Sequence, residues 1–458
     1  MSDLSTLQST LHNKLAAVST GVKLIVVCVL ALLMTIPAFF VDGLVQERTQ
    51  RRQEVIRDVS NHVGGEQTVL GPTLAIPYTI PPQSGADSTK HGMYIVFPKQ
   101  AVASIRTTTE ERHRSLFKVP VFQAEMKLDA DFDLTGVPAA APSGAELDWN
   151  RAEIVVGISD ARGALADGSL VVGGRSLTLV PAAICPDITV GESNQPIRLI
   201  LLGAMAGDAA GPNRQFSVTS ALRFSGAQRI AMLAYGKTTH LTMQGDWPSP
   251  SFDGGYLPVS RSVSANGFDA QWSVPFVARG VRAEGGSESL SGLGATALGV
   301  SFVELVDPYQ SVNRSLKYVL LFLGLIFLSY FVFEVTSGKK VHPAQYILVG
   351  IAQIIFYLLL LSLAERIGFD LAFLIAGTAT VSLLSINAGW VFVSRLQGIK
   401  ASVVFTLLYV LIYLLLRLED NALLVGAIAS FVAVAAAMYL TRNINWYGSV
   451  PARGAHEA

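Results

Sequence analysis

Long apolar runs occupy only the two ends of the chain. The first, LIVVCVLALLMTIPAFFV from Leu24 to Val41, has the length of about 18 to 20 residues that a helix needs to cross a bilayer core. No comparable run follows until Tyr318. Five then succeed one another closely: Tyr318–Phe333, Tyr346–Leu363, Leu371–Val393, Ala401–Leu416 and Ala422–Leu440. The pattern predicts six transmembrane helices, one plus five. Ahead of the first run, Leu4, Leu7, Leu11, Leu15 and Val18 fall at helical spacing, which fits either an amphipathic stretch lying on the membrane face or a frayed tail.

Between Asp42 and Lys317 the period changes from helical to two. In FQAEMKLDADFDL, Phe122, Ala124, Met126, Leu128, Ala130, Phe132 and Leu134 alternate with Gln123, Glu125, Lys127, Asp129, Asp131 and Asp133, the pattern of a half-buried strand. SLVVGGRSLTLV sets Gly173-Gly174 between two short β-prone runs, and VSRSVSANGFDAQWSV does the same with Asn266-Gly267; both predict tight hairpins. Strands with Gly and Pro turns indicate an antiparallel sandwich or paired sheets. The fold class is thus an α+β membrane protein with a large β-rich, sandwich-like domain inserted between helices 1 and 2.

Composition agrees with a membrane protein: 51% of the 458 residues are hydrophobic and 15% charged, with a mean hydropathy of +0.44, outside the usual soluble range. Basic and acidic residues balance at 34 each, so no bulk field would gather nucleic acid. The short connections carry Lys339, Lys340, Arg395, Lys400, Arg442 and Arg453 on one side against Arg366 and Arg417 on the other. With Lys14 and Lys23, this excess places both termini in the cytoplasm and makes the insertion extracytoplasmic. Arg48, Arg51, Arg52 and Arg57 follow the first span on the outer side, but they begin a segment far longer than about 60 residues, for which charge counts predict little. The first run exits through PAFFVDG, with phenylalanines where a cleavage site needs small residues, and so reads as an uncleaved signal-anchor. Cys28 lies in that run and Cys185 far away, so no disulfide framework is implied.

Candidate chemistry is sparse. DWPSPSFDGGYLP, Asp246 to Pro258, combines rigid prolines with permissive glycines. Its Trp247 and Phe252 read as core anchors, and Tyr256 with nearby Arg261 as candidates for partner contact. Asp160 and Arg162 in GISDARG read first as a turn-stabilising pair and second as a ligand contact. DADFDLTG imitates a calcium loop but has Leu134 at position six and Ala140 at position twelve. The seven histidines lack ligand spacing, and no G-x-S-x-G elbow or S-x-x-K sits at a recognisable position in the outer domain. No metal, cofactor or catalytic residue is predicted. In the membrane, Gln353 and Asn387 lie well within spans and Glu334 and Glu365 at span ends. Contacts between helices are the expected use of these polar groups.

GPTLAIP near Gly71, GISDARG, DWPSPSFDGGYLP and GFDAQW resemble the extracytoplasmic part of the CreD family, and DPYQSVNRSLKYVLLF, FVFEV, HPAQYILVG, IFYLLLLSLAERIGFDLAF and TRNINWY resemble its membrane half. The resemblance runs from the first span to about Tyr447 with the order of motifs kept. It implies a multi-pass inner-membrane protein, controlled by a two-component envelope-stress system, that affects envelope integrity and responses to β-lactams. It brings no established enzymatic reaction. The chain is expected to divide into a cytoplasmic segment 1–23, a signal-anchor helix 24–41, a periplasmic β-rich domain 42–317, a five-helix bundle 318–440 and a cytoplasmic tail 441–458. Its partners would be the lipid bilayer and envelope proteins or cell-wall components, with the oligomeric state left open. The alternative is a transporter or flippase-like protein for an envelope constituent.

Overall fold

The computed structural model describes residues 20–82, 89–114, 117–191, 196–303, 308–417 and 422–442. The amphipathic stretch from Leu4 to Val18 and the tail beyond Arg442 lie outside them. Two compact units result: Met1–Arg51 with Val306–Ala458, and Arg52–Leu305.

The first unit is helical. Helices α1 (Thr20–Leu33) and α2 (Thr35–Val63) follow one another across a turn at Met34. Pro37 explains the interruption, because it offers no N–H to the carbonyl of Leu33 and its ring crowds that group. After α3 (Pro308–Lys317) come α4 (Val319–Ser337), α5 (Pro343–Ile367), α6 (Phe369–Val391), α7 (Arg395–Arg417) and α8 (Ala422–Thr441). Six helices of the described residues are long and apolar enough to span a bilayer, the α1–α2 rod and α4 to α8, as the six runs predict. HPAQ opens α5 by a local rule: His342 caps it, its Nδ1 accepting from the Ala344 N–H at 3.2 Å, and Pro343 occupies the first turn where no donor is needed.

Both boundaries of the β-rich segment differ from the expected Asp42 and Lys317. The rod stays helical to Val63 and the first strand begins at Gln67, because Val55, Ile56, Val59 and Val63 make an apolar stripe that packs on Val119, Val121 and Ala227. At the other end α3 turns Tyr309, Val312 and Leu316 inward, again at helical spacing.

The second unit is two sheets. An eight-stranded sheet runs, in spatial order, Ser260–Ser264, Gly267–Val274, Thr238–Gly245, Gln100–Arg114, Phe117–Asp133, Gln215–Ala227, Ser169–Val172 and Arg175–Thr178. The backbone of an eleven-stranded sheet is Asp187–Val190, Ile197–Met205, Glu153–Ile158, Gln67–Ile80, Arg229–Leu233, Ala297–Phe302 and Pro250–Gly254. The expected strand at Phe122–Leu134 forms as far as Asp133 and extends back to Phe117, with alternate residues buried from Phe122 to Phe132. The Gly173-Gly174 hairpin forms as read, both residues at positive φ and Val172 opposite Arg175. The second hairpin closes one residue earlier than read: Ser264 pairs with Gly267, so Ala265-Asn266 make the turn. The sheets are also mixed instead of purely antiparallel, since Gln67–Ile80 runs parallel to Arg229–Leu233 and Gln100–Arg114 parallel to Thr238–Gly245.

One apolar cluster draws on both sheets. Phe122 from one sheet meets Phe302 from the other with ring centroids 5.2 Å apart. Tyr235, fully buried, donates its hydroxyl to the carbonyls of Val102 (3.2 Å) and Asp129 (3.0 Å) in two neighbouring strands of the eight-stranded sheet. Gly71 of GPTLAIP leaves room for that ring, since a Cβ there would stand 2.5 Å from it.

DWPSPSFDGGYLP is a strand that changes sheets. The chain leaves the eight-stranded sheet after Gly245, pairs Pro250–Gly254 with Ala297–Phe302 on the edge of the other sheet, and returns as Ser260–Ser264. Proline is tolerated there because it opens an edge strand. Trp247 is 9% exposed and donates its indole N–H to the Val303 carbonyl at 3.2 Å; Phe252 is half-buried against Phe268 and Trp272. Gly255 passes so close to the 3-10 segment Ser287–Thr296 that a Cβ would lie 1.8 Å from the Ala295 carbonyl oxygen. Replacing Trp247 with Ala should cost about 3 to 5 kcal/mol. Gly255→Ala should lower the yield of folded full-length protein far more than Gly136→Ala, whose positive-φ position faces open space. Thermal melts of the detergent-solubilised chain check both, and equal melts for the two glycine variants would contradict the close approach.

Candidate functional site

The polar residues singled out in the membrane unit each bond to a different helix. Glu334, 5% exposed near the end of α4, receives Lys23 Nζ of α1 at 2.6 Å, the Val341 N–H at 3.0 Å and the Tyr346 hydroxyl of α5 at 2.9 Å. Three donors thus surround a carboxylate that burial would otherwise penalise heavily. Gln353 of α5 is fully buried and accepts from the Tyr409 hydroxyl of α7 at 3.0 Å. Asn387 of α6 accepts from Tyr330 of α4. Glu365 of α5 accepts from Tyr309 of α3 at 2.9 Å and lies 3.9 Å from Arg48 Nε of α2. The α1–α2 rod is therefore tied to the bundle at two levels, with Lys23 and Arg48 separated by about 37 Å of helical rise. Aromatic rings fill the space between: Tyr330 packs on Tyr346, Phe392 and Phe405, and Tyr409 on Phe322 and Phe356.

In the β-rich unit, GISDARG forms a corner. Asp160 caps a short 3-10 turn, its Oδ1 accepting from the Arg162 N–H at 2.9 Å, while the guanidinium closes back on the carboxylate at 3.0 and 2.6 Å. The side-chain hydrogen bond from Arg162 holds the Asp160 carboxyl below the usual carboxylate range. The backbone of the corner is held too: Gln67 Nε2 donates to the carbonyls of Gly64 (2.8 Å) and Asp160 (2.9 Å), and Ser225 Oγ donates to Val63 (2.8 Å) and Gly163 (3.2 Å). This arrangement seats the end of α2 on the sheets and accounts for the pair without a ligand.

Tyr256 and Arg261 differ in surroundings. The Tyr256 hydroxyl donates to the Ala278 carbonyl, and its own carbonyl accepts the Trp272 indole N–H at 3.0 Å. Arg261 is exposed, 5.7 Å from the Phe252 ring centre, beside a shallow groove lined by Pro250, Ser251 and Val263.

A larger groove of about 650 Å³ lies elsewhere on this unit, lined among others by Tyr78, His91, Asp148, Arg151, Cys185 and Asp187. Sequence reasoning missed it because its wall comes from four segments far apart in the chain, brought together by the pairing of Gln67–Ile80 with its neighbours and of Asp187–Val190 with Ile197–Met205. Burial, then the nearby Asp187 and Glu153 carboxylates, push the Cys185 thiol up, so it rests protonated and is a poor nucleophile. Both cysteines are free. Among the described residues no group of three or more His, Cys, Asp and Glu side chains can hold a metal ion.

Two outcomes are expected. Lys23→Met and Glu334→Gln should each destabilise the solubilised protein, on the order of 3 kcal/mol for a buried pair and less here because Lys23 keeps 29% of its side chain exposed. The double variant should recover part of that loss in a double-mutant cycle of melting temperatures. Asp160→Ala should cost about 1 kcal/mol as a lost cap. Because the folded carboxyl titrates below its ordinary value, this contribution is present above the usual carboxylate range and is lost as pH falls through the depressed pKa. Melts of wild type and variant should converge in acid.

Residues 19–447 match the family described as Inner membrane protein CreD. The chain is also 30% identical over 427 residues to the Inner membrane protein CreD of Escherichia coli strain K12, covering 91% of this chain and 91% of that protein. The match begins one residue before α1 and spans both the β-rich unit and the helical bundle. With six membrane-length helices and this match over nearly its whole length, the chain is a multi-pass membrane protein and belongs to the CreD family of inner membrane proteins.

Proposed function

We propose that the protein is a non-enzymatic scaffold of the cell envelope: the helical unit anchors it in the inner membrane, and the β-rich unit, facing the periplasm, binds or organises envelope components. The observation that carries this reading is the use of the membrane polar groups. Glu334, Gln353, Asn387 and Glu365 each bond to a side chain of another helix, which suits a platform of fixed geometry better than a substrate pathway. Lys339 and Lys340 in the connection after α4, with Arg395 and Lys400 in the first turns of α7, support cytoplasmic termini. The groove carrying Tyr78, His91, Asp148 and Arg151 supplies the concave mix of aromatic and charged groups that recognition uses, and it is the proposed binding face. A role in envelope integrity and the response to β-lactams follows the family resemblance.

Reporters fused after Lys340, Lys400 and Tyr447 should behave as cytoplasmic and one inserted at Gly173 as periplasmic. Photocrosslinkers at His91 and Arg151 in cells should capture a defined envelope component that a crosslinker at the Gly173 hairpin does not. An inverted reporter pattern would overturn the orientation. Identical capture from groove and hairpin, or substrate-dependent flux through liposomes carrying the purified protein, would overturn the scaffold reading.

A further inference from the structure

The α6–α7 pair carries a groove of about 660 Å³ whose composition changes along its length. At one end stand Asp370, at the start of α6, and Tyr413, with Arg417 at the end of α7. Arg417 Nη2 bonds to Asp370, and the Tyr413 hydroxyl donates to Asp370 Oδ1 at 3.2 Å. Both charged side chains nevertheless stay half exposed, at 54% and 52%. Further along, Leu371, Leu374, Val381 and Val410 make the walls apolar, and the hydroxyl residues Thr378, Ser382, Ser402 and Thr406 line it with them. Gly377 also lines the groove, with room for a Cβ only 3.3 Å from the Tyr409 ring.

The dimensions match one leaflet. From Asp370 to Ser382 the α6 wall rises about 18 Å, close to half of a hydrocarbon core about 30 Å thick. A groove that starts among charges at a helix end and stops near mid-membrane fits one acyl chain hung from a headgroup. The charges select the headgroup. Arg417 donates from Nε to the Tyr413 hydroxyl at 3.4 Å and from Nη2 to Asp370, so it presents the Nη1 side of its guanidinium to a phosphate, whereas Asp370 beside it repels a net anion and accepts hydrogen bonds from an ammonium. Tyr413 adds an oxygen within the same cluster. We propose that this groove is a binding site for a phospholipid with a zwitterionic, primary-amine headgroup, its phosphate on Arg417, its ammonium on Asp370 and one acyl chain along α6 and α7. A quaternary ammonium has no N–H for Asp370 and fits less well; an anionic headgroup meets the carboxylate. This site is independent of the periplasmic binding face, since none of its residues belongs to the β-rich unit.

The test is native mass spectrometry of the full-length protein released from nanodiscs holding equal parts of phosphatidylethanolamine, phosphatidylglycerol and phosphatidylcholine. The wild type should retain the ethanolamine lipid over both others. Arg417→Gln should reduce that retention about tenfold, as loss of a charge-assisted bond does, and Asp370→Asn should erase the discrimination against phosphatidylglycerol. Thr378→Trp, at an exposed groove position, should exclude the acyl chain while helical content by circular dichroism and elution volume remain those of the wild type. Equal retention of the three lipids, preference for phosphatidylglycerol in the wild type, or undiminished ethanolamine-lipid retention in folded Thr378→Trp would each overturn the proposal.

Discussion

Glu334 sets the constraint on which the membrane unit depends. A carboxylate nearly closed off from solvent close to the end of a membrane helix persists only if its charge and its lone pairs are met. Here Lys23, the Val341 N–H and the Tyr346 hydroxyl meet them. Lys23 stands 311 residues away in sequence, so the same contact that makes the carboxylate tolerable joins the first helix to the later bundle. Apolar contact alone would do this weakly, because lipid tails compete with helices on equal terms for apolar surface. The Arg48–Glu365–Tyr309 cluster repeats the device at the other level of the rod, and each pairing fixes a rotation as well as a separation.

The β-rich unit solves a different problem, that of holding two large sheets in one register. Apolar burial supplies the driving force but little direction. Direction comes from a few polar and steric details: the Tyr235 hydroxyl reaching two strands of the facing sheet, Gly71 yielding space to its ring, and the sheet-switching segment that runs from the eight-stranded sheet to the edge of the other and back. That segment also lends a strand to the edge of each sheet as it crosses. Asp246 accepts from the Thr109 N–H at 2.8 Å and Asp253 from Arg229 at 2.8 Å, so the segment's two carboxylates hold it to one sheet each.

The candidate residues separate along the same physical line. Those whose polar atoms are held in local or interhelical bonds, Asp160, Arg162, Tyr256, Glu334 and Asn387, maintain geometry; Gln353 does so through its Oε1, while its buried Nε2 meets no hydrogen-bond partner among the described residues. Groups that keep solvent exposure beside a concavity, such as Arg261, Arg151, Asp370 and Arg417, retain the capacity to meet something else. A fully satisfied polar group gains little from a ligand, whereas an exposed one exchanges water for it.

What the sequence determined by itself was everything carried by local period and length. Six apolar runs became six membrane-length helices, the alternation from Phe122 became part of a long strand, and the paired glycines at 173 and 174 became a hairpin, because each depends on residues within one element. The helical stripes at Val55–Val63 and Tyr309–Leu316 carried a local signal too, yet the length of the insertion obscured it. Tertiary structure alone decided the rest. The parallel pairings of Gln67–Ile80 and Gln100–Arg114, the strand inside DWPSPSFDGGYLP, the groove around Tyr78 and Cys185, and the partners of Glu334, Gln353 and Asn387 all depend on segments far apart in sequence. Periodicity reports which face of an element is apolar, but not which other face it meets. That choice is made by shape and by the need to satisfy each buried donor and acceptor, and neither is written in any one segment.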